Sequence, residues 1–317
     1  MRNLVIAVAL AAGIGTSAMS QPVGIATSNP GSLFHNIGTA IAKAANDNGI
    51  AATIQPATSP NQYMPLVNAG EIEFGVGNLQ EFQYALAGKA WFENSVNPDL
   101  RVVGLIMPIR EAIFVRADSD IMTIADLKGK PMVDGYTAQQ TILPQLDAIY
   151  GSAGMTRADM DGVNVASVVA GADAFMAGDS VGFIFAHGAG KVREADAAVG
   201  GLRALPMEDS AQTRAAIAEY WSTGYLVDIA PGPAAPGVLE PGKFIAYPQL
   251  VFTNAGVSDD AAYNMAKVIY ENQPALGEAF PPFRGFNPER DMVGEVGDAA
   301  YHPGAIRFYQ EVGLWNK

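Results

Sequence analysis

Thr27-Ser28-Asn29-Pro30-Gly31-Ser32-Leu33-Phe34-His35-Asn36-Ile37-Gly38 joins a strand-like run, Val23 to Ala26, to a segment in which Phe34, Ile37, Ile41 and Ala45 recur at helical spacing. A polar loop ending on a helix N-terminus presents N–H groups that lack intrahelical partners, at the positive end of the macrodipole. A carboxylate or phosphate is favoured there. Ser28, Asn29 and Ser32 add side-chain donors, and Gly31 permits close approach to the backbone. The same residues also fit a plain helix cap and a chain turn. On this stretch alone both readings stand.

The pattern repeats downstream. Ile50 to Gln55 alternates like a strand and ends in a polar turn that carries Asn61 and Gln62. Tyr63, Leu66 and Val67 give a short helical face that stops at Ala69-Gly70. Glu71 to Gly77 then leads as a strand to Asn78, with Phe82 and Leu86 one helical turn apart beyond it. Strands alternating with helices predict an α/β fold with a largely parallel sheet. In such sheets ligands sit beyond the carboxyl ends of strands, where the loops at Ser28, Ser59 and Asn78 converge.

Arg101 to Ile106 and Ala112 to Arg116 are two further apolar runs, the second crossing out of the first lobe. Ile124 to Lys130 reads as a short helix closed by Gly129, and Pro131 to Asp134 as a strand. The loop that follows holds Thr137, Ala138, Gln139 and Thr141, and a helix with Ile142, Leu146 and Ile149 on one face comes after it. Pro144 is harmless only in a first turn, which makes Thr141 the expected N-cap and gives this loop the design of the opening one. A helix ending on Ala69-Gly70-Glu71 before a strand is echoed by Ala177-Gly178-Asp179, which places His187 where Asn78 stands in the first lobe. Leu202 to Pro206 is expected to return the chain to the first lobe, and Tyr247-Pro248 precedes another strand. The expected organisation is therefore a leader over 1–20, a first lobe of 21–113 with 207–317, and a second lobe of 114–206.

Composition narrows the function classes. The chain has 317 residues, 49% of them hydrophobic and 16% charged, which suits a packed protein of two lobes. Arg2, the apolar stretch Leu4 to Ile14 and the small residues Ala18-Met19-Ser20 form a secretory signal peptide pattern, too short to span a bilayer. This points to a periplasmic protein without direct membrane insertion. Cysteine is absent, which removes disulfides, thiolate metal sites and thiol catalysis. A net charge of −13 argues against nucleic acid as a partner.

Catalytic constellations are missing from the sequence. There is no Gly-x-Ser-x-Gly or His-Glu-x-x-His, and Gly188-Ala189-Gly190-Lys191 lacks the spacing and hydroxyl of a phosphate loop. His35, His187 and His302 share no ligand spacing, so neither a metal nor another cofactor is expected. His187 is the one candidate for a base in a cleft.

The order of these motifs resembles the TAXI-type extracytoplasmic solute receptors of TRAP transporters across the whole mature chain. The resemblance is carried by Ile25-Ala26-Thr27-Ser28 through Gly31 to Phe34, Leu66-Val67-Asn68-Ala69-Gly70-Glu71 with its strand to Asn78, Val115 to Ser119, Ile124 to Lys130, and Tyr247-Pro248. It implies a type II periplasmic binding protein fold, two α/β lobes with an interlobe cleft and crossing hinge strands. It implies a receptor that closes on a small organic anion, a glutamate-like amino acid or carboxylate, and delivers it to the membrane subunits of a TRAP transporter. In that arrangement Ser28, Asn29 and Ser32, beside Phe34, hold one end of the solute. Thr137, Gln139 and Thr141, with Ala138, hold the carboxylate. Asn61, Gln62, Asn78 and His187 line the remainder, and Tyr247 forms a wall. The alternatives are a secreted enzyme on the same fold using His187, and a binding module that feeds a sensor.

Overall fold

A computed structural model describes residues 22–93 and 95–315. The signal peptide read over 1–20 lies outside the described residues. In chain order the elements begin with β1 (Val23–Thr27), α1 (Leu33–Asp47), β2 (Ala52–Pro56), α2 (Pro60–Asn68), β3 (Phe74–Asn78) and α3 (Leu79–Ala87). Then come the long β4 (Leu100–Arg116), β5 (Pro131–Tyr136), α4 (Leu143–Ser152), β6 (Asp161–Val165), α5 (Val168–Ala177), β7 (Gly182–Ala186), α6 (Gly190–Val199) and β8 (Leu202–Ala204). The chain ends with α7 (Ala211–Tyr220), β9 (Tyr225–Ile229), β10 (Gly242–Asn254), α8 (Asp259–Glu271), α9 (Gln273–Ala279), α10 (Pro288–Asp291) and α11 (Pro303–Glu311).

Local chemistry accounts for the helix starts. Ser32 caps α1, its hydroxyl accepting from His35 N–H, and Asn78 caps α3 by accepting from Glu81 N–H at 2.8 Å. Gly31 has φ +88°, a left-handed conformation that glycine alone adopts without strain. Pro144 does fall in the first turn of α4, but a 3-10 turn over Gln140–Ile142 moves the cap to Ile142, one residue past the expected Thr141. Ile124–Leu127 forms a 3-10 turn where the sequence predicts a short helix. Leu66 is exposed, so the inner face of α2 is made by Tyr63, Met64 and Val67.

The strands form one sheet in the order β2-β1-β3-β10-β4-β7-β5-β6, with β8 also on β4 and β9 also on β10. β1 pairs in parallel with β2 and β3, and β5 with β6 and β7, while β4 and β10 run antiparallel to all their partners. The two apolar runs around Met107 to Glu111 are one continuous strand, β4. Its first part pairs with the second part of β10, next to β3, and its last part pairs with β7 and β8. Tyr247 faces Ile109 whereas Gln249 faces Ile106, so β4 carries one residue more than β10 at Pro108 and Pro248. This is a bulge, and it falls where the sheet passes from one half to the other.

The expected return to the first lobe at 207 does not match the packing. Leu205 N–H bonds Ile113 O and Met207 N–H bonds Lys243 O, which keeps the chain beside the last part of β4. α7 packs on α4, where Gln212 donates to Gly151 O and the Ala216 methyl lies against Gly151. β9 pairs with the first part of β10, residues 242–246. The neighbours of both long strands therefore change at the two prolines, not at 113 and 206. Among the described residues no helix is long and apolar enough to cross a membrane.

Close packing fixes the first half of the sheet. Gly75 on β3 lies under the Phe252 ring of β10, where an added Cβ would approach ring carbons to 2.3 Å. The ring in turn packs on Tyr63 and Phe82. Gly75→Ala overfills this contact and is expected to cost about 1–3 kcal/mol in equilibrium unfolding. An unchanged unfolding midpoint would mean that the ring has room to move aside.

Candidate functional site

Where the two halves meet, the ends of β1, β3 and β5 and the middle of β4 and β10 surround a small cavity of about 50 Å³. From the first half come Ser28, Ser32, Leu33, Phe34, Asn78 and Glu81; from the second, Gln139, Thr141, Ile142, Gln145, Val168, Phe185 and Ala186; and from the long strands, Ile109, Glu111 and Tyr247. Of the three loops expected to converge, those at Ser28 and Asn78 line the cavity and the one at Ser59 does not; Thr141, from the later loop, lines it as well. Their side chains are buried, as is every other lining residue.

Contacts between the halves close over the cavity. Ser59 and Thr141 hydroxyls lie 3.4 Å apart, and Asn29 Nδ2 donates to Ser167 Oγ at 3.4 Å. Lys191 N–H donates to Gly31 O, and Gln80 Oε1 accepts from Ser222 Oγ and Thr223 N–H. Ser28 Oγ faces the Tyr63 hydroxyl, which itself donates to Val76 O.

Two carboxyl groups dominate the lining. Burial pushes Glu81 up to about 8, opposed by the Thr141 hydroxyl, reinforced by Glu111 and opposed again by Asn78. Burial pushes Glu111 up to about 8 as well, and the Tyr247 hydroxyl, which donates to Oε2 at 2.9 Å, holds it down. Glu81 Oε2 and Gln145 Oε1 are buried without hydrogen-bond partners. None of the lining residues is lysine or arginine. The arrangement offers open acceptors, and hydrogen-bond donors suit it better than a bare anion does.

Other expected residues lie elsewhere. Gln62 is exposed and its Oε1 accepts from Thr58 N–H; Asn61 sits in the first turn of α2, away from the cavity. Thr137 is exposed with its hydroxyl on Val165 O, and Ala138 N–H bonds Ala166 O, so both serve the β5–β6 edge. Asn29 bridges the halves without lining the cavity. His187 leaves β7 as expected but faces a different, larger space. Burial, with Arg110 nearby, lowers its pKa to about 3, far from that of a base poised near neutral pH. Sequence reading missed Glu81, Glu111 and Gln145. The signals were a glutamate three residues after Asn78 and an isolated acid within an apolar run.

Comparison with known proteins places the chain. The NMT1-like family profile matches residues 25–313. The chain belongs to the NMT1-like family. Among solved structures it is similar to a protein of Bordetella bronchiseptica RB50, at 12% identity and a TM-score of 0.55 over 92% of this chain and 98% of that one. It is likewise similar to PhnD1 of Prochlorococcus marinus in complex with methylphosphonate, at 7% identity and a TM-score of 0.54 over 92% and 98%. The periplasmic aliphatic sulphonate binding protein SsuA of Escherichia coli matches at 17% identity over 81% and 78%, with a TM-score of 0.46. The first two share the fold, a mixed α/β binding-protein architecture, with this NMT1-like chain.

The carboxyl pair sets a pH dependence. A carboxyl whose folded pKa exceeds its ordinary 4.5 adds stability below that pH and loses it as pH rises toward about 8. Unfolding free energy is therefore expected to fall between pH 5 and 8. Glu111→Gln should flatten this slope and raise stability at pH 8. A slope identical in Glu81→Gln and Glu111→Gln to that of the parent would remove the pair as its source.

Proposed function

We infer that this NMT1-like protein is a periplasmic solute-binding receptor that encloses a small solute between two lobes. The reading rests on one observation above all: a buried cavity of apolar walls and a few polar groups, built from both halves of the sheet at the strand ends where α/β folds bind ligands. The lobes are best divided at the prolines, 21–108 with 249–317 against 109–247. Bending at the bulge opens the cleft, and the solute draws an open–closed equilibrium toward closed. Binding residues are Ser28, Ser32, Phe34, Asn78, Glu81, Glu111, Gln139, Thr141, Gln145 and Tyr247. Delivery to a membrane transporter, of the TRAP type that the sequence resembles, belongs to the same reading.

The cavity's chemistry favours a compact solute bearing an amino group. An ammonium group would satisfy Glu81 and Glu111, and the loop donors of Ser32, Asn78 and Gln139 would take a single carboxylate where the solute has one. A second carboxylate, as in glutamate, would be buried beside two carboxyl groups with no cation in the lining. The volume agrees, since about 50 Å³ is well below the roughly 150 Å³ that admits benzene in a protein core.

Thermal-shift measurements on the purified protein test this. Glycine, alanine or ethanolamine is expected to stabilise it by about 2.7 kcal/mol at a hundredfold excess over Kd. Glu81→Gln should weaken that binding at least about tenfold, the effect of losing roughly 1.4 kcal/mol. Stabilisation by succinate or glutamate without any by the amines would sink the assignment of ligand class.

A further inference from the structure

On the other side of the long strands lies a second cavity of about 540 Å³, and its chemistry is the reverse of the first. Arg110, Arg193 and Arg284 line it, and no lining residue is acidic. Strand alternation produces the contrast. Ile109 and Glu111 face the inner cavity and Arg110, between them, the outer one. On β10, Tyr247 lines the inner cavity and Gln249 the outer one, on either side of Pro248, where the pairing with β4 shifts register.

The arginines come from three elements: β4, α6 and the 3-10 turn Pro281–Gly285. Arg110 and Arg193 form no ion pair among the described residues, in a chain with 32 acidic side chains against 19 basic ones. Arg284 donates Nε to Gly277 O. A second, independent feature points to a ligand. His187 is 7% exposed, wedged edge-on between Phe114 and Phe244, and neither ring nitrogen has a partner. Gln249 is fully buried and donates Nε2 to Met107 O, which leaves Oε1 unpartnered. Buried polar atoms without partners are costly, and both of these residues line the outer cavity.

We propose that this outer cavity binds a small polyanion carrying two or more carboxylate or phosphate groups, its charges met by Arg110, Arg193 and Arg284. A hydroxyl on the same molecule would donate to Gln249 Oε1, and His187 would supply a donor or an acceptor at the cavity floor. The space falls within the range of ordinary small-molecule sites, roughly 300–1,000 Å³. Arg193 belongs to the second half of the sheet and Arg284 follows α9 in the first, so a bound polyanion ties the halves together. Its binding therefore strengthens retention of whatever the inner cavity holds, and the coupling is reciprocal.

Isothermal titration with citrate and with inorganic pyrophosphate, at ionic strength held constant with sodium chloride, tests the site whatever occupies the inner cavity. One-to-one saturable binding of at least one probe is expected. Arg110→Gln combined with Arg284→Gln should weaken it at least tenfold, and Arg193→Gln alone should weaken it measurably. All three side chains are exposed, and circular dichroism checks that the variants are folded. Arg307→Gln, which removes an exposed arginine outside the cavity, should leave the affinity within twofold. The proposal is overturned by absence of saturable binding, by binding that the changes at Arg110, Arg193 and Arg284 leave intact, or by binding that Arg307→Gln weakens as much as they do.

Discussion

The antiparallel ladder between β4 and β10 is the interaction on which the rest of the molecule depends. Every other strand reaches the sheet through one of these two, since β3, β9 and their neighbours attach to β10 while β7 and β8 attach to β4. At the centre of the ladder stand Pro108 and Pro248, which have no N–H to donate. The register shifts there by one residue. Flexing at this point sacrifices few ladder bonds, while the pairings on either side stay intact. A continuous sheet can thus behave as two bodies without a linker between them.

The same two strands sort charge. Because side chains alternate across a strand, adjacent residues Arg110 and Glu111 look into different spaces. Glu111 is buried with Tyr247 as its donor, whereas Arg110 is exposed. Burial without a cation leaves proton uptake as the cheapest way to neutralise Glu81 and Glu111, which is why both are shifted upward. Local composition of the lining, not the overall charge of −13, decides what each space admits.

Much of the fold was legible because it rests on short-range rules. Ser32, Gly31 and Pro144 act within a turn of where they stand, and apolar periodicity locates the strands and helices between them. The long β4 was not legible as one strand, since Pro108, Arg110 and Glu111 interrupt an apolar pattern where the strand faces cavities instead of core. The path of the chain beyond 206 was not legible for a related reason. β8 and β9 are short, and nothing within them names the distant strand each joins. Of the cavity lining, Ser28, Asn78 and Thr141 were singled out by their position at strand ends. Asn61, Gln62 and Thr137 share that position but do not line the cavity, Gln62 and Thr137 spending their polar atoms on neighbouring backbone. Glu81 was hidden because an acid in the first turn of a helix has an ordinary electrostatic reason to be there.

The strand order has a consequence for how the chain assembles. β3 ends at Asn78, yet the partner on its open side, β10, begins at Gly242. A chain that emerges N-terminus first can form β2, β1 and β3 early, but it must carry the exposed edge of β3 until some 170 residues later. Contacts of such long sequence separation slow folding and leave time for wrong pairings. The segment between, by contrast, holds nearly all the partners of β5, β6 and β7 within itself. The inserted half is thus able to acquire its pairings while the half that encloses it is still incomplete.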